Sequence, residues 1–408
     1  MGLCLASLPS PARGQMVLGQ YEEEAPLGTW NLFGSSGASA LGRGASMFAP
    51  AADASVIFTN PALAARLPGL TVSVSGVFYS ASLFRFGPVN TGPISSNENL
   101  PLDGVSLDFA ALTWNFRGWV FGLGVALCEA YERPYVEAGA SSYNAQFTFR
   151  QEGYLRAWNL SLGREVLPGL SLGMGFNLVS GRWEWSMEDS WNPPSQFVRI
   201  TDERSRELGG SCLNGGLLWR ISGRVSLAAA FRTPFSLSGR SRSLLRYEAP
   251  AAGTDIAIEA EGEDSFRRPA VVGIGLTWVV RGRLKVSGEA GWWNWSSYKA
   301  TSFGEDLPRD FLDAWRAGAG LESMSTIRLF GQDIGIPWSL GLIYDRQPMK
   351  DGASAYFGYA LGTGVQWKGA KLNVGAVFGF ENGSGHRLVT TRLAVTMTVQ
   401  TGRRAAGE

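Results

Sequence analysis

The only histidine of the chain, His386, is the one side chain whose ordinary pKa suits a general base near neutral pH. It lies in the stretch ENGSGH with Asn382 and Ser384, the residue types of a nucleophile, base and orienting group. Such a triad needs a rigid scaffold, whereas these residues share a glycine-rich turn. We therefore expect no catalytic residue and interpret the chain as a non-enzyme.

Other kinds of chemistry also lack the residue spacing that they need. The acidic stretches SMEDSW and FGEDLPRDFLD carry carboxylates for a divalent cation, although solvated surface loops explain them more simply. The three cysteines, Cys4, Cys128 and Cys212, form neither a metal-binding spacing nor a disulfide framework. The net charge is +1 and no basic block occurs. We expect no metal, no cofactor and no nucleic-acid partner.

The composition is unusual for a soluble enzyme. Charged residues make up 17% of the chain, against about 25% in ordinary soluble domains, and glycine accounts for 53 of 408 residues. The longest uncharged apolar run, 270–280 (AVVGIGLTWVV), is shorter than the roughly 18 residues that a membrane-spanning helix needs. The chain is therefore neither a helical membrane protein nor a typical globular enzyme.

Bulky apolar residues recur at every second position along most of the chain. In 119–127, 170–178, 272–280 and 372–378 they alternate with small or polar residues, which predicts strands with two different faces. The alternation lasts about nine to eleven residues, enough for a tilted strand to cross a bilayer. Aromatic residues near the strand ends suggest interface girdles, with core packing as the alternative: Trp183, Trp185, Trp292, Trp293, Trp295, Tyr356 and Tyr359.

The links between the predicted strands differ in length on the two sides. Even-numbered strands end in tight turns at 117–118, 167–169, 222–224, 281–283 and 368–370, and odd-numbered strands end in long polar loops. Two exceptions are a longer even-numbered link at 324–336 and a tight last hairpin at Asn382-Gly383. One-sided turns are typical of outer-membrane barrels. We predict an all-β fold, a closed antiparallel transmembrane β-barrel of about fourteen strands.

Two stretches carry a resemblance to a known family. The segment 35–70, SSGASALGRGASMFAPAADASVIFTNPALAARLPGL, resembles the N-terminal plug, or hatch, of FadL-type outer-membrane long-chain fatty-acid transporters. The stretch 339–349, SLGLIYDRQPM, and the YALGTGVQWKGAKLNVGAVFGF that follows are similar to the late strands of that family. The resemblance implies a plug containing short helices, folded inside the barrel.

Within this plug, Asp53, Asn60, Pro61 and Ala62 form the recognisable motif. Asn60 is expected to cap a helical turn and Pro61 to occupy its first position. The apolar residues Val56, Ile57, Phe58 and Leu63 are candidates for lining a ligand pocket, with stabilisation of the plug as the alternative.

Three basic residues are candidates for a binding role inside the barrel. Lys285, Arg316 and Arg392 lie opposite the apolar face of their strands, which places them in the lumen, because charges facing lipid near the midplane cost roughly 2–4 kcal/mol. Two interpretations stay open. The residues form ion pairs that brace plug and wall, or an arginine binds the carboxylate of a fatty acid.

These observations predict the domain organisation and the function. Residues 1–14 are interpreted as a signal-peptide remnant, 15–69 as the plug, 70–400 as the barrel and 401–408 as a polar tail, with both termini in the periplasm. By resemblance, the chain lies in the outer membrane, contacts its lipid, and passes hydrophobic ligands such as long-chain fatty acids by passive diffusion. The alternative is a plugged barrel that serves as a scaffold or partner of secretion or assembly machinery.

Overall fold

The computed structural model describes residues 37–44, 48, 53–83, 94–99, 102–131, 136–140, 145–191, 197–308, 311–329, 331–348, 355–382 and 388–401. The interpreted signal-peptide remnant, the start of the plug at 15–36, the residues Ser384 and His386, and tail residues 402–408 lie outside these ranges. Strand residues account for most of the described chain. None of the helices in the described ranges is long and apolar enough to cross a bilayer.

Three short helical elements come before the first described strand. Helix α1 spans Ala38–Leu41, helix α2 spans Val56–Thr59, and the 3-10 helix η1 spans Pro61–Arg66. The residues of these elements and of the segments between them, 37–44, 48 and 53–69, are called the plug below. Each helix is too short to be stable alone, so its stability must come from packing.

The strands are, in chain order, β1 (Leu70–Leu83), β2 (Ile94–Asn99), β3 (Leu102–Phe116), β4 (Trp119–Ala130), β5 (Val136–Ala140), β6 (Ala145–Leu167), β7 (Leu170–Trp191), β8 (Val198–Arg220), β9 (Val225–Arg232), β10 (Phe235–Ala249), β11 (Thr254–Arg268), β12 (Val271–Arg281), β13 (Leu284–Trp293), β14 (Ala300–Ser302), β15 (Glu305–Leu307), β16 (Ala314–Leu329), β17 (Gln332–Arg346), β18 (Ala355–Trp367), β19 (Ala370–Asn382) and β20 (Leu388–Thr401).

Fourteen of these strands close into one antiparallel ring, in the order β1, β3, β4, β6, β7, β8, β9, β12, β13, β16, β17, β18, β19, β20 and back to β1. The ring closes where Leu70 of β1 pairs with Thr401 of β20. Closure leaves no sheet edge, which a strand in lipid could not tolerate. The predicted fourteen-stranded plugged barrel is confirmed.

Long strands raise one side of the barrel well above the other. Strands β10 and β11 continue the lines of β9 and β12 past short breaks, and β10 pairs with both β8 and β11. Strands β6, β7 and β8 reach 22 or 23 residues each. A bilayer needs only about 9–11 residues of a tilted strand, so this part of the wall extends beyond the span.

One predicted link is wrong. The sequence predicts a long connection at 324–336, whereas β16 continues to Leu329 and β17 begins at Gln332, with a tight turn between them. Pro337 explains the difference, since it lies inside β17 opposite Met324, whereas a proline in a sheet ordinarily stands at the first residue of a strand. All six links after even-numbered barrel strands are therefore tight.

The two faces of the wall differ as the alternation predicts. Outward residues such as Leu123, Leu160 and Met397 are 50–63% exposed, while inward Thr71 and Ser73 are fully buried. The predicted girdle is wrong for Trp183, Trp185, Trp295 and Tyr356, which are buried in the barrel interior. Trp183 and Trp185 share the inward phase of Val179 in β7, so alternation rather than residue type decided where they point.

Candidate functional site: the plug and a window in the wall

The Asn60-Pro61-Ala62 motif joins the plug to the wall. The Asn60 side chain accepts a hydrogen bond from the Ala62 N–H at 3.2 Å, which caps η1, and Pro61 occupies the first turn. The side-chain amide nitrogen of Asn60 donates to the carbonyl groups of Leu217 and Ala229, at 3.3 Å each. One fully buried residue thus ends α2, starts η1 and links η1 to β8 and β9.

Asp53 organises the turn that precedes α2. Its Oδ1 accepts a hydrogen bond from the Ser55 N–H at 2.9 Å, as short polar side chains do in turns. The neighbouring Ala54 N–H donates to Ser73 Oγ of β1 at 3.0 Å, and the Gly37 N–H donates to Ser55 Oγ at 3.3 Å. Asp53 therefore stabilises the plug next to the seam where the barrel closes.

Three asparagines of the wall bind the end of α2. Asn159 donates to Asn177 at 2.8 Å, and Asn177 donates to Asn214 at 2.9 Å. Asn214 then donates to the carbonyl groups of Ile57 and Phe58, at 3.0 and 3.2 Å. This asparagine ladder on β6, β7 and β8 satisfies helix carbonyls that the short α2 cannot pair internally.

The four apolar plug candidates are packed against the wall. Val56, Ile57, Phe58 and Leu63 are at most 2% exposed and share one cluster with wall residues such as Phe109, Val120 and Leu218. The rings of Phe58 and Phe109 meet edge to face, with centroids 6.3 Å apart. These contacts support the stabilising interpretation, and a ligand-lining role for the four residues stays a prediction.

Lumen-facing glycines let the plug backbone approach the strands. A β-carbon added at Gly341 would overlap the Gly44 nitrogen, and one at Gly375 would overlap the Ala38 carbonyl. On the opposite wall, a β-carbon at Gly173 would overlap Ala62. The glycines that alternate with bulky residues in the sequence therefore form the surface on which the plug lies.

Ion pairs connect the first half of the plug to the wall. Glu322 of β16 lies 3.4 Å from Arg43 of the plug and 3.1 Å from Lys285 of β13. Glu289 of β13 accepts a hydrogen bond from the Phe48 N–H at 3.0 Å. Lys285 thus belongs to a brace between plug and wall, and its side chain remains 47% exposed.

The other two basic candidates are buried in the lumen. Arg392 of β20 pairs with Asp108 of β3 at 2.7 Å, and their side chains are 5% and 0% exposed. Arg316 is 3% exposed and lies in register with Asp345 of β17. The phase argument placed both residues in the lumen correctly. Their acidic neighbours favour bracing over ligand binding.

The lumen above the plug is filled by aromatic side chains, called the lumen aromatic cluster below: Tyr131, Trp183, Trp185, Phe266, Trp295, Tyr298, Phe311 and Tyr356. Tyr131 stacks on Trp183 with centroids 4.9 Å apart. The buried pair Arg206–Asp264, 2.5 Å apart, lies against it, and the Arg206 guanidinium covers the Trp183 ring at 4.4 Å. This surface suits apolar molecules.

The wall itself is interrupted beside this cluster. Strands β3 and β4 pair from Phe116–Trp119 only as far as Phe109–Ala126, although β3 continues to Leu102 and β4 to Ala130. Beyond this point β3 still pairs with β1, and β4 still pairs with β6. Both strands carry a bulge here. The bulge in β3 lies opposite Ser75–Gly76 of β1, and the bulge in β4 lies between Leu127 and Glu129. The unpaired section, 102–108 facing 127–130, is called the window below.

Comparisons with known proteins agree with this geometry. No protein-family model matches the sequence, and no curated protein matches it. Among solved structures, a FadL homologue from Pseudomonas aeruginosa is 14% identical, with 90% of this chain and 98% of that chain covered and a TM-score of 0.62. The Ralstonia pickettii toluene transporter TbuX is 16% identical over 92% and 100% of the two chains, with a TM-score of 0.60. The Pseudomonas putida toluene transporter TodX is 12% identical over 91% and 100%, with a TM-score of 0.62.

The chain has the FadL-type fold. Within this FadL-type barrel, the structure brings the motif residues Asn60, Pro61 and Ala62 together against β7, β8 and β9, and it places Asp53 apart from them, in the turn next to β1. It separates Lys285 from Arg392, which belong to different ion pairs.

Sequence reasoning missed the asparagine ladder, and it did not locate the window, although the resemblance to the FadL-type family implies an opening in the wall. A signal for the ladder exists, because Asn159, Asn177 and Asn214 all have the inward phase of their strands. The window has no such signal, since both of its strands continue past the last shared pair.

Proposed function

We propose that the chain passes hydrophobic molecules, specifically long-chain fatty acids, through the outer membrane by passive diffusion. The observation that carries the proposal is the window, which opens the wall beside an aromatic lumen while the plug blocks the straight path. A hydrophobic molecule that enters the lumen therefore has a short route sideways into lipid. The structural neighbours include toluene transporters and a monoaromatic hydrocarbon channel, which supports a hydrophobic cargo.

The lumen next to the window has the chemistry of such a route. A cavity of about 40 Å³ lies behind the end of β4, and its lining combines apolar side chains with three charged ones: Cys128, Leu155, Val179, Phe235, Pro269, Trp293 and Trp295, and Glu129, Arg232 and Arg268. One water molecule occupies roughly 30 Å³ in the liquid, so this cavity is too small for a fatty acid. The described conformation is thus a closed one, and transport requires side chains of the lumen aromatic cluster to move.

The plug contacts the base of the window directly. Phe58 of α2 packs edge to face on Phe109, and Phe109 forms the last paired position before the window begins. A β-carbon at Gly124, one strand further, would lie 2.8 Å from the same Phe58 ring. A shift of α2 would therefore release Phe109 and change the window, which couples the plug to the exit.

Replacement of Phe58 tests the proposal. Phe58→Asp places a charge in this apolar contact, and Phe58→Ala removes the ring without a charge. We expect both variants to slow uptake of radiolabelled long-chain fatty acids by cells that express the chain, with the aspartate variant slower. Heat-modifiable migration on gels verifies that each barrel is folded.

Two results would contradict transport. One is fatty-acid uptake at the wild-type rate by folded Phe58→Asp. The other is wild-type uptake no faster than that of cells without the chain. A protein that copurifies with the barrel in stoichiometric amounts would then favour the scaffold or secretion-partner function.

A further inference from the structure

Arg156 of β6 spans the window on the outer face of the barrel. Its Nη1 donates a hydrogen bond to the Leu107 carbonyl at 3.0 Å, and its Nη2 donates to Ser106 Oγ at 3.2 Å. Ser106 Oγ in turn lies 3.4 Å from the Leu107 carbonyl, to which it donates. The guanidinium therefore closes a small polar network on β3, although β4 lies between β6 and β3 in the ring.

The bonding partners of Arg156 belong to the unpaired section of β3. Ser106 and Leu107 lie just above Phe109, where pairing with β4 stops. A backbone without a ladder partner in the lipid-facing wall carries a cost of several kcal/mol per unsatisfied group. A long side chain from two strands away now supplies the donors that β4 does not supply. Arg156 holds the window shut from outside.

The position of Arg156 along β6 corresponds to the outer edge of the apolar band. Its guanidinium covers the Tyr154 ring at 5.1 Å, and Trp158, two residues further, is 56% exposed. Aromatic residues of this kind mark a membrane interface. A cation is tolerated here, and the head group of an amphiphile reaches the same level.

Arg156 differs from the arginines of the lumen in its partners. Arg206, Arg268 and Arg392 each pair with a carboxylate, on Asp264, Glu129 and Asp108. The two side-chain hydrogen bonds of Arg156, to the Leu107 carbonyl and to Ser106 Oγ, both go to neutral oxygens. Within the part of the chain that the structure describes, no carboxylate lies within ion-pair distance of it. Its charge is thus available to an anion.

We propose that Arg156 is the latch of the window and recognises the carboxylate of an anionic amphiphile that leaves through it. This inference rests on the proposed function. A carboxylate accepts two parallel hydrogen bonds from a guanidinium, and such charge-assisted bonds are stronger than bonds to neutral oxygens. The departing carboxylate therefore replaces Leu107 and Ser106 as acceptor and opens the latch. A neutral molecule of equal chain length has no equivalent exchange.

Uptake of a matched pair of amphiphiles tests the recognition. Cells expressing the full chain receive radiolabelled laurate or dodecanol, which differ only in the head group. We expect Arg156→Gln to lower the ratio of laurate to dodecanol uptake about tenfold, as expected for loss of a charge-assisted bond. Arg156→Lys keeps the charge without the two-pronged geometry and should give an intermediate ratio.

Arg164→Gln is the matched control for this experiment. Arg164 lies on the same strand eight positions further and on the same face, where it covers Trp119 at 4.6 Å away from the window. Its variant should keep the wild-type ratio. An unchanged ratio in Arg156→Gln, or an equal loss in Arg164→Gln, overturns the recognition.

A second measurement observes the latch without transport. Nitroxides at Val105 and Glu152, on the two sides of the window, are introduced into a chain whose cysteines are replaced by alanine. We expect Arg156→Gln, or laurate added to the otherwise unchanged chain, to weaken the dipolar broadening of the EPR spectrum. Unchanged broadening in both cases overturns the latch. Absence of all wild-type uptake would instead contradict the proposed function, and the EPR result would still decide the latch.

Discussion

The plug and the window are two barriers of different strength in one barrel. The plug is held by backbone-to-wall hydrogen bonds along its length, by the asparagine ladder, by the Glu322 brace and by backbone packed on glycines. Within its unpaired section the window is bridged by the Arg156 side chain through two hydrogen bonds, and beyond that section β2 pairs with β5 across the gap. Each of the two Arg156 bonds contributes about 1.5–3 kcal/mol net, because its donor is charged. Opening sideways should therefore be much easier than expelling the plug.

This difference explains how a barrel can exclude water and still release an apolar molecule. A fourteen-stranded ring is wider than its own side chains can fill, so loss of the plug would open an aqueous path. The window leads into lipid, where water and ions do not follow. The plug, a strong barrier along the barrel axis, excludes water, and the window, a weaker barrier in the wall, allows an apolar molecule to leave.

The largest effect is expected from forcing the plug off its glycine surface. Gly341→Leu places a side chain where Gly44 and the Arg43 carbonyl carbon lie, with no room for both. We expect ion conductance in planar bilayers to rise from near zero to that of a water-filled barrel. In the control Gly288→Leu, the added β-carbon lies 4.0 Å from the Gly318 carbonyl oxygen, an ordinary van der Waals contact. A closed Gly341→Leu barrel would show that the glycine contact does not retain the plug.

The frame of the window should be the next most sensitive feature. Arg392→Leu leaves Asp108 buried beside the window without its cation, which costs about 3–5 kcal/mol of folding free energy. The double variant Arg392→Leu/Asp108→Leu removes both charges and should recover most of this loss. Urea unfolding followed by heat-modifiable migration measures both. A double variant no more stable than the single one would contradict an ion-pair role.

Removing the donor that holds α2 should have a smaller, local effect. Asn214→Ala leaves the carbonyl groups of Ile57 and Phe58 without that donor. We expect the free energy of local opening of the plug to fall by about 2 kcal/mol, which raises the population of the opened state roughly thirtyfold. Trypsin cleavage after Arg66 in the purified barrel reports this opening. Asn373→Ala, at a lumen-facing position of β19 on the other side of the barrel, is the control. Equal cleavage rates in the two variants would show that the asparagine ladder does not stabilise the plug.

The smallest effect is expected at the partly exposed brace. Glu322→Gln weakens the contact to Lys285 by about 1 kcal/mol or less, since Lys285 is half exposed and solvent screens the pair, while the glutamine carbonyl still offers the buried Arg43 an acceptor. The same trypsin assay should show a modest acceleration that disappears at 1 M salt, where the screening length is about 3 Å. Lys285→Met should change less, because the contact between Arg43 and Glu322 remains. A salt-independent effect would mean that packing is the cause.

The amino-acid sequence by itself determined the class of fold, the number of barrel strands and the position of the plug motif. The alternation of apolar residues and the tight turns on one side of the barrel are local properties of the sequence. They suffice to predict the barrel because each strand must present one apolar face to lipid. The roles of Asn60 and Pro61 followed from helix capping, which acts over two or three residues. The same dependence on local signals explains the wrong link at 324–336, where Pro337 resembled the first residue of a strand.

Only the tertiary structure decided which residues meet across the lumen and where the wall is open. Arg43 meets Glu322, and Arg156 meets Leu107, only after fourteen strands have closed into a ring. These pairs are separated by 49 to 279 positions in the chain, and alternation specifies a face without specifying a neighbour. The window depends on where two neighbouring ladders stop matching, and bulges in β3 and β4 set that point. Register is a property of paired strands, so no single strand carries it.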